Sequence, residues 1–135
     1  MRQKIQILFM FIILLTTSVV FAADTYIIDP AHTSFGFTVK HMMISNVPGE
    51  FDKFDGQIIY DPADLANSKA QVTIDVSSIK TRIDQRDAHL KSPDFFDVAK
   101  FPTITFVSTK FTSTAITGNL TMKGVTKKDG YTDSL

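Results

Sequence analysis
The chain has no cysteine. Nothing in it can form a disulfide, so a domain working in an oxidising compartment would depend on apolar burial and sheet hydrogen bonds. A lipid-modified cysteine anchor is excluded on the same ground. An excess of one charge is also lacking: 14 Lys and Arg stand against 14 Asp and Glu. A nucleic-acid partner, which asks for a clustered basic surface, finds no support in that balance. Glycine and proline number only six and five, and no linker, low-complexity tract or internal repeat divides the chain. At 135 residues the length suffices for one small domain with one core. The nucleophile elbow and the phosphate loop of familiar enzyme classes are missing too. His32, His41 and His89 are scattered without metal-ligand spacing, so no metal and no cofactor is expected. Asp52, Asp55, Asp61 and Asp64 read as solvated turn and strand surface and not as a hydrolase's paired carboxylates.

The one long hydrophobic run lies at the start. Arg2 and Lys4 precede an apolar stretch from Ile5 to Leu15, and Val20-Phe21-Ala22 follows. A charged head, an apolar middle and a small-residue cleavage site make a secretory signal over residues 1–22, cut near Ala22. The run is short for a membrane span and is followed at once by Thr16, Thr17 and Ser18. A periplasmic or secreted protein is therefore expected. Removing Arg2 and Lys4 leaves a slight acidic excess.

Beyond the signal, the dominant period is two. Phe35, Phe37 and Val39 alternate with Gly36, Thr38 and Lys40, and Val72, Ile74 and Val76 alternate with Thr73 and Asp75. Ile58 and Tyr60, Ile104 and Phe106, and Ile116, Leu120 and Met122 likewise share faces, with Gly118 between the last set. Such alternation marks antiparallel strands with one apolar face. Asp29-Pro30 and Asn46-Val47-Pro48-Gly49 are turn chemistry, and Asp61 to Asn67 forms a longer corner with room for one helical turn. Short connections between successive strands predict a meander curling into an up-and-down barrel or a sandwich.

Residues 82–101 break the period. The stretch RIDQRDAHLK predicts a short helix, with Ile83 and Leu90 on one side and Arg82, Arg86 and His89 on another. Asp87 and Lys91 have the spacing of an ion pair, and Ser92-Pro93-Asp94 reads as a fresh helix start. Phe95, Phe96, Val98 and Phe101 would supply apolar cover. The insert therefore reads as a helical lid over one end of a β-structure.

Several motifs in order carry a resemblance. They are Asp29-Pro30-Ala31-His32-Thr33 with Phe35, Phe37 and His41; Val47-Pro48-Gly49-Glu50-Phe51; and Phe54-Asp55-Gly56. Then come Arg86-Asp87-Ala88-His89-Leu90-Lys91-Ser92, Asp94-Phe95-Phe96-Asp97-Val98, Phe101-Pro102, Gly118-Asn119-Leu120-Thr121 and Gly124-Val125-Thr126-Lys127. From about Asp24 to Lys127 the chain resembles the YceI-like family of polyisoprenoid-binding proteins. That resemblance implies an all-β fold: a lipocalin-like antiparallel up-and-down barrel of eight strands with a short helical insert. It implies a long apolar cavity for a polyprenyl lipid or a prenylated quinone-type compound, in a binder and not an enzyme. Its domain would occupy residues 23–127. Residues 128–135 have no strand pattern and form a divergent tail, so the barrel is expected to be incomplete at its C-terminus, and edge-to-edge pairing in a homodimer could close it. Contact with a membrane is expected to be transient.

Physical chemistry supports such a use. Each CH₂ of a polyprenyl chain moved out of water is worth about 0.8 kcal/mol, and a barrel of about eight strands is wide enough for one ligand. The candidate cavity residues are Phe35, Phe37, Val39, Phe51, Phe54, Val72, Ile74, Val76, Phe106, Leu120 and Met122. Pattern alone favours Phe35, Phe37, Phe51, Phe54 and Phe106 as core filling; the resemblance implies that the inward-facing ones among them line a cavity. The candidate head-group and lid residues are Arg82, Arg86, His89, Phe95 and Phe96. Arg86 and His89 could meet a phosphate or a quinone oxygen, or could satisfy carboxylates such as Asp84 or Asp94. The rival reading is an exported β-domain that holds no ligand and acts through its surface. A bulky residue in place of Gly118 is expected to separate the two readings, since overpacking a solid core costs about 1–3 kcal/mol.

Overall fold
The computed structural model describes residues 22–41 and 45–134, with backbone alone at 40, 41, 45 and 129–134. The secretory reading of residues 1–21 lies outside the described residues. The elements are β1 (Asp24–Ile27), β2 (Phe35–His41), β3 (Ser45–Phe51), β4 (Phe54–Tyr60), β5 (Lys69–Asp75), β6 (Ile79–Lys80), α1 (Asp84–Lys91), β7 (Thr103–Phe111), β8 (Ala115–Met122) and β9 (Val125–Ser134). The fold is all-β and antiparallel, a lipocalin-like barrel whose sheet is not closed among the described strands.

The strands form two sheets. Six pair in the order β1-β4-β5-β7-β8-β9, and three pair as β2-β3-β6. The simple meander expected from the short connections is modified: β1 pairs with β4, and the β2–β3 ribbon leaves to form the second sheet. The reason is the placement of its aromatics. Phe35, Phe37 and Phe51 pack on the same apolar cluster as Phe54, Val72, Ile74, Ile104, Phe106 and Leu120 of the larger sheet. The ribbon therefore covers the inner face of that sheet and does not extend it.

Strand β5 shows how sequence becomes position. Ala70, Val72 and Ile74 are buried, while Lys69 and Gln71 are exposed. Val72 stands opposite Gly56 on one side and Phe106 on the other, and Ile74 opposite Phe54 and Ile104. These cross-strand rows form the floor of the inner face. The strand ends one residue earlier than the alternation predicts: Asp75 caps a 3₁₀ turn over Val76–Ser78 by accepting from the Ser77 backbone. Val76, only 1 % exposed, is reached by that turn and sits in the core.

Residues 128–135 differ from the expected tail. Up to Ser134 the backbone continues β9, which pairs with β8 from Met122↔Val125 to Ala115↔Ser134 around an irregularity near Asn119. An edge strand needs backbone pairing and no apolar alternation, so its polar sequence hides it.

Gly118 also differs from its expected role. A Cβ there would lie 2.5 Å from the Phe106 ring and 2.5 Å from the Val107 carbonyl oxygen. A bulky residue would strain the sheet before it met any ligand, so this substitution cannot separate a cavity from a solid core.

Candidate functional site
The site has a floor and a cap. The floor is the inner face, where the candidate residues fall into three groups. Phe51, Val72, Ile74 and Val76 are buried core. Phe35, Phe37, Phe54, Phe106 and Leu120 pack against that core but stay partly open. Val39 and Met122 lie outside the cluster, 49 % and 39 % exposed. The open group gains its order from ring contacts: Phe35 meets Phe54 edge-on at 4.7 Å, and Phe37 lies 5.4 Å from Phe51. The Phe37 ring also covers Gly49, its cross-strand partner, where a side chain could not fit.

The cap is the 81–102 connection. Strands β4, β5 and β7 begin or end together at one edge of the sheet, with Ile74 opposite Phe54 and Asp75 opposite Thr103. The connection crosses that edge. Leu90, Phe96 and Val98 reach the core from it, and Phe96 stands edge-on to both Phe37 (6.4 Å) and Phe51 (6.1 Å). The expected lid is there, and aromatics tie it down.

Its polar wiring is different from the helical-face reading. Arg82 is not in α1: it precedes the helix with φ 68, in the left-handed region. It therefore shares no helix face with Arg86 and His89. Asp87 is buried; its Oδ1 accepts from the Thr81 backbone N (2.9 Å) and from the Thr81 hydroxyl (2.5 Å). The expected Asp87–Lys91 pair gives way to this bond because Asp87 faces inward. Arg86 donates from Nε to the Thr81 hydroxyl (2.7 Å) and from Nη2 to the Thr81 carbonyl (2.5 Å). Thr81 is thus held by residues five and six positions away. His89 lies 3.4 Å from Asp94 and edge-on to Phe95 at 4.9 Å. Ser92 ends α1 and starts no new helix: its hydroxyl and its N–H both donate to the His89 carbonyl. Thr81 and Asp87 are the residues the sequence reading missed as a pair. Their one local signal is a carboxylate in the first turn of a helix with a threonine just upstream.

Two surface pockets flank these parts. One, of about 470 Å³, runs between α1 and the β3–β4 turn and is lined by Lys53, Lys80 and Lys91 together with Asp52 and Asp84. The other, of about 310 Å³, lies by Asp55, Gln57, Gln71 and Thr73. Among the described residues no three His, Asp or Glu side chains converge as metal ligands.

The charges set a pH range. Asp52 bonds Lys80 and holds its ammonium above the usual range. The His32 ring, at 2.7 Å, holds Asp29 low; the Asp64 backbone N–H does the same for Asp61, and the Ser77 hydroxyl for Asp75. Both Asp29-Pro30-Ala31 and Asp61-Pro62-Ala63 are turns in which the first carboxylate accepts from the third residue's N–H, at 2.9 Å. A carboxylate lowered by folding adds stability above its unfolded value of about 3.9, and that stability is lost as pH falls through the folded value. Lys80, raised, contributes below its unfolded value and loses that contribution at strongly alkaline pH. The urea midpoint is expected to stay level from about pH 5 to 8 and to fall below about pH 4. A midpoint that declines already between pH 7 and 5 would contradict this.

The comparisons with known proteins agree with this architecture. A family model described as the YceI-like domain matches residues 26–129. A UPF0312 protein of Staphylococcus aureus (strain MRSA252) is 45% identical over 103 residues, covering 76% of this chain and 60% of the relative. The chain spans about 60% of the length of the curated relatives it matches. The crystal structure of Burkholderia cenocepacia BcnA aligns with a TM-score of 0.69 at 32% identity, over 77% of this chain and 67% of that one. A Campylobacter jejuni YCEI protein aligns at 0.55 with 42% identity, over 76% and 63%. A polyisoprenoid-binding domain from Saccharophagus degradans shares the fold at 0.52 with 17% identity, over 79% and 62%.

Proposed function
The chain belongs to the YceI-like family, and from that premise we propose that it is a non-enzymatic binder of a polyisoprenoid or a related amphiphile such as a prenylated quinone. One observation carries the reading. On the inner face, Phe35, Phe37, Phe54, Phe106 and Leu120 contact the core yet keep open surface. A hydrocarbon laid along these side chains would remove that surface from water at about 25 cal/mol per Å². The fold shared with a domain titled polyisoprenoid-binding is consistent with this use. Export to the periplasm or beyond, with processing near Ala22, belongs to the same proposal.

The polar end of the ligand needs donors. Two nitrogens of Arg86 are committed to Thr81, so Arg82 and His89 are the better partners for a phosphate or a carbonyl oxygen. Arg82 sits at φ 68, where glycine carries no steric penalty. Replacing it, R82G, is expected to leave the melting temperature unchanged or slightly raised, because relief of strain offsets glycine's extra unfolded-state entropy. The same change should weaken retention of an anionic polyprenyl phosphate several-fold. Thermal unfolding paired with ligand-retention measurements checks both; a large loss of stability would show that Arg82 is structural.

Native mass spectrometry of protein purified from bacteria without detergent tests the main reading. A compact ion carrying added mass, in a series spaced by isoprene units, is the expected result. A compact ion with no added mass, unchanged after incubation with a polyprenyl phosphate, would overturn it and favour a ligand-free domain acting through its surface.

A further inference from the structure
We propose that the capped end of the barrel is a docking face for an anionic phospholipid surface. Two pieces of chain meet there. The first is the 81–102 connection; the second is the turn joining β8 to β9. Lys123 of that turn donates to the Pro93 carbonyl at 3.2 Å, and Phe101 stacks over Gly124. The two pieces therefore present one joint surface.

That surface is apolar where it has no need to be. Ile83 and Phe95 of the connection are 52 % and 46 % exposed, and Met122 and Val125 beside the turn are 39 % and 70 % exposed. Phe96 and Val98 next door are turned inward and do the packing, so Phe95 and Val125 add nothing to the core. Exposed apolar side chains gathered at one place mark an interaction surface more often than chance exposure does.

Charge identifies the partner. Between Asp24 and Lys80 carboxylates outnumber cations two to one; between Thr81 and Lys128 the ratio inverts. Within the connection Arg82, Arg86, Lys91 and Lys100 balance Asp84, Asp87, Asp94 and Asp97, so the excess at this end comes from Lys123, Lys127 and Lys128, in and just beyond the β8–β9 turn. Lys123 in the turn and Lys127, two residues beyond Val125 in β9, stand beside the exposed apolar residues of the turn, while Asp94 and Asp97 of the connection are within reach of His89 and Lys100. Apolar tips with a lysine rim are the pattern of side chains that enter the headgroup–acyl boundary while cations contact anionic lipid. Each lysine near such a surface is worth about fivefold in partitioning. The proposal goes beyond cargo binding, because the surface stands whether or not the inner face holds a ligand.

The absence of cysteine makes the test site-specific. In the full chain, Val125→Cys and, separately, Ser113→Cys in the turn between β7 and β8 at the opposite end are labelled with an environment-sensitive fluorophore. Each is titrated with vesicles of equal phosphatidylglycerol and phosphatidylcholine, and with phosphatidylcholine vesicles alone, all free of polyprenyl lipid. The label at position 125 is expected to shift to the blue on the anionic vesicles, at least tenfold more tightly than on the neutral ones. The label at 113 is expected to stay unchanged. Adding Lys123→Gln and Lys127→Gln should weaken the response at 125 by about twenty-five-fold, from two lysines at about fivefold each. Attachment through the apolar N-terminal run would affect both labels alike and both vesicle types, and that pattern overturns the proposal. So does a silent label at 125, or a response to polyglutamate equal to that for anionic vesicles, which would point to an acidic protein partner. Because the vesicles lack polyprenyl lipid, none of these results bears on whether the inner face binds one.

Discussion
Phe51→Ala should cost about 3–5 kcal/mol in folding free energy, a large part of what holds a typical small domain together. Phe51 is 7 % exposed and lies where three structures meet. By register it stands opposite Phe35 in β2 and Ile79 in β6. Its ring contacts Phe37 from the ribbon and Phe96 from the cap. Truncation removes the transfer energy of a phenyl ring and leaves a cavity that two strands and a loop cannot all close. The tilted contact with Phe37 and the edge-on contact with Phe96 disappear with it, and aromatic pairs are worth about 0.5–1.5 kcal/mol each in other proteins. Phe95→Ala is the control. That ring is 46 % exposed and, among the described residues, its one ring contact is with His89, edge-on, so its loss should cost less than about 1 kcal/mol. Urea unfolding of both variants decides the matter. Equal losses would mean that the Phe37–Phe51–Phe96 cluster is not the joint between ribbon and cap.

The second large effect is expected at Asp87. Asp87→Ala leaves the backbone N–H of Thr81, a residue 3 % exposed, without its acceptor, and the Thr81 hydroxyl loses one too. Stranding buried donors costs about 1–3 kcal/mol each, and the loss of charge assistance adds to it, so about 3 kcal/mol is expected for the variant. Asp87→Asn keeps a carbonyl oxygen that can still accept from the Thr81 N–H, and should lose roughly half as much. The damage should also be local. Arg86 holds Thr81 from the other side, so loosening Thr81 frees the start of α1, and protease cleavage between Arg82 and Lys91 should rise before the sheet unfolds. Cleavage that rises only in step with global unfolding would show that the cap and the sheet form one cooperative unit.

The two variants probe different kinds of knowledge. The role of Phe51 was half legible: pattern alone favoured it as core, while the family resemblance turned the inward-facing aromatics toward a cavity without saying which they were. The tertiary structure divides the aromatics by their neighbours. Phe51 is enclosed by two sheets and the cap, whereas Phe35, Phe37 and Phe54 touch the same cluster from its open side. Asp87 was legible only as a residue of a short helix. Its i, i+4 spacing to Lys91 pointed to a surface pair, a weak interaction that burial of the carboxylate against Thr81 overrides.

What the sequence by itself determined is what depends on near neighbours along the chain. The period of two through Val72 and Ile74 dictates a strand with one buried face, because alternate side chains of an extended chain point oppositely. Asp29-Pro30 and Asp61-Pro62 dictate turns, because a carboxylate can accept from the N–H two residues on. The motifs in order dictate the family, and with it the all-β fold. What only the tertiary structure decided depends on partners far apart or on backbone alone. β9 is a strand because β8 offers it a ladder, although its polar sequence shows no face. The ribbon of β2 and β3 leaves the larger sheet because its aromatics are needed opposite that sheet's inner face. Arg82 stands apart from Arg86 because the chain turns through a left-handed residue before the helix begins. A period is written in adjacent residues; a sheet edge, a buried bond across six positions and a positive φ are settled only when the rest of the chain has closed around them.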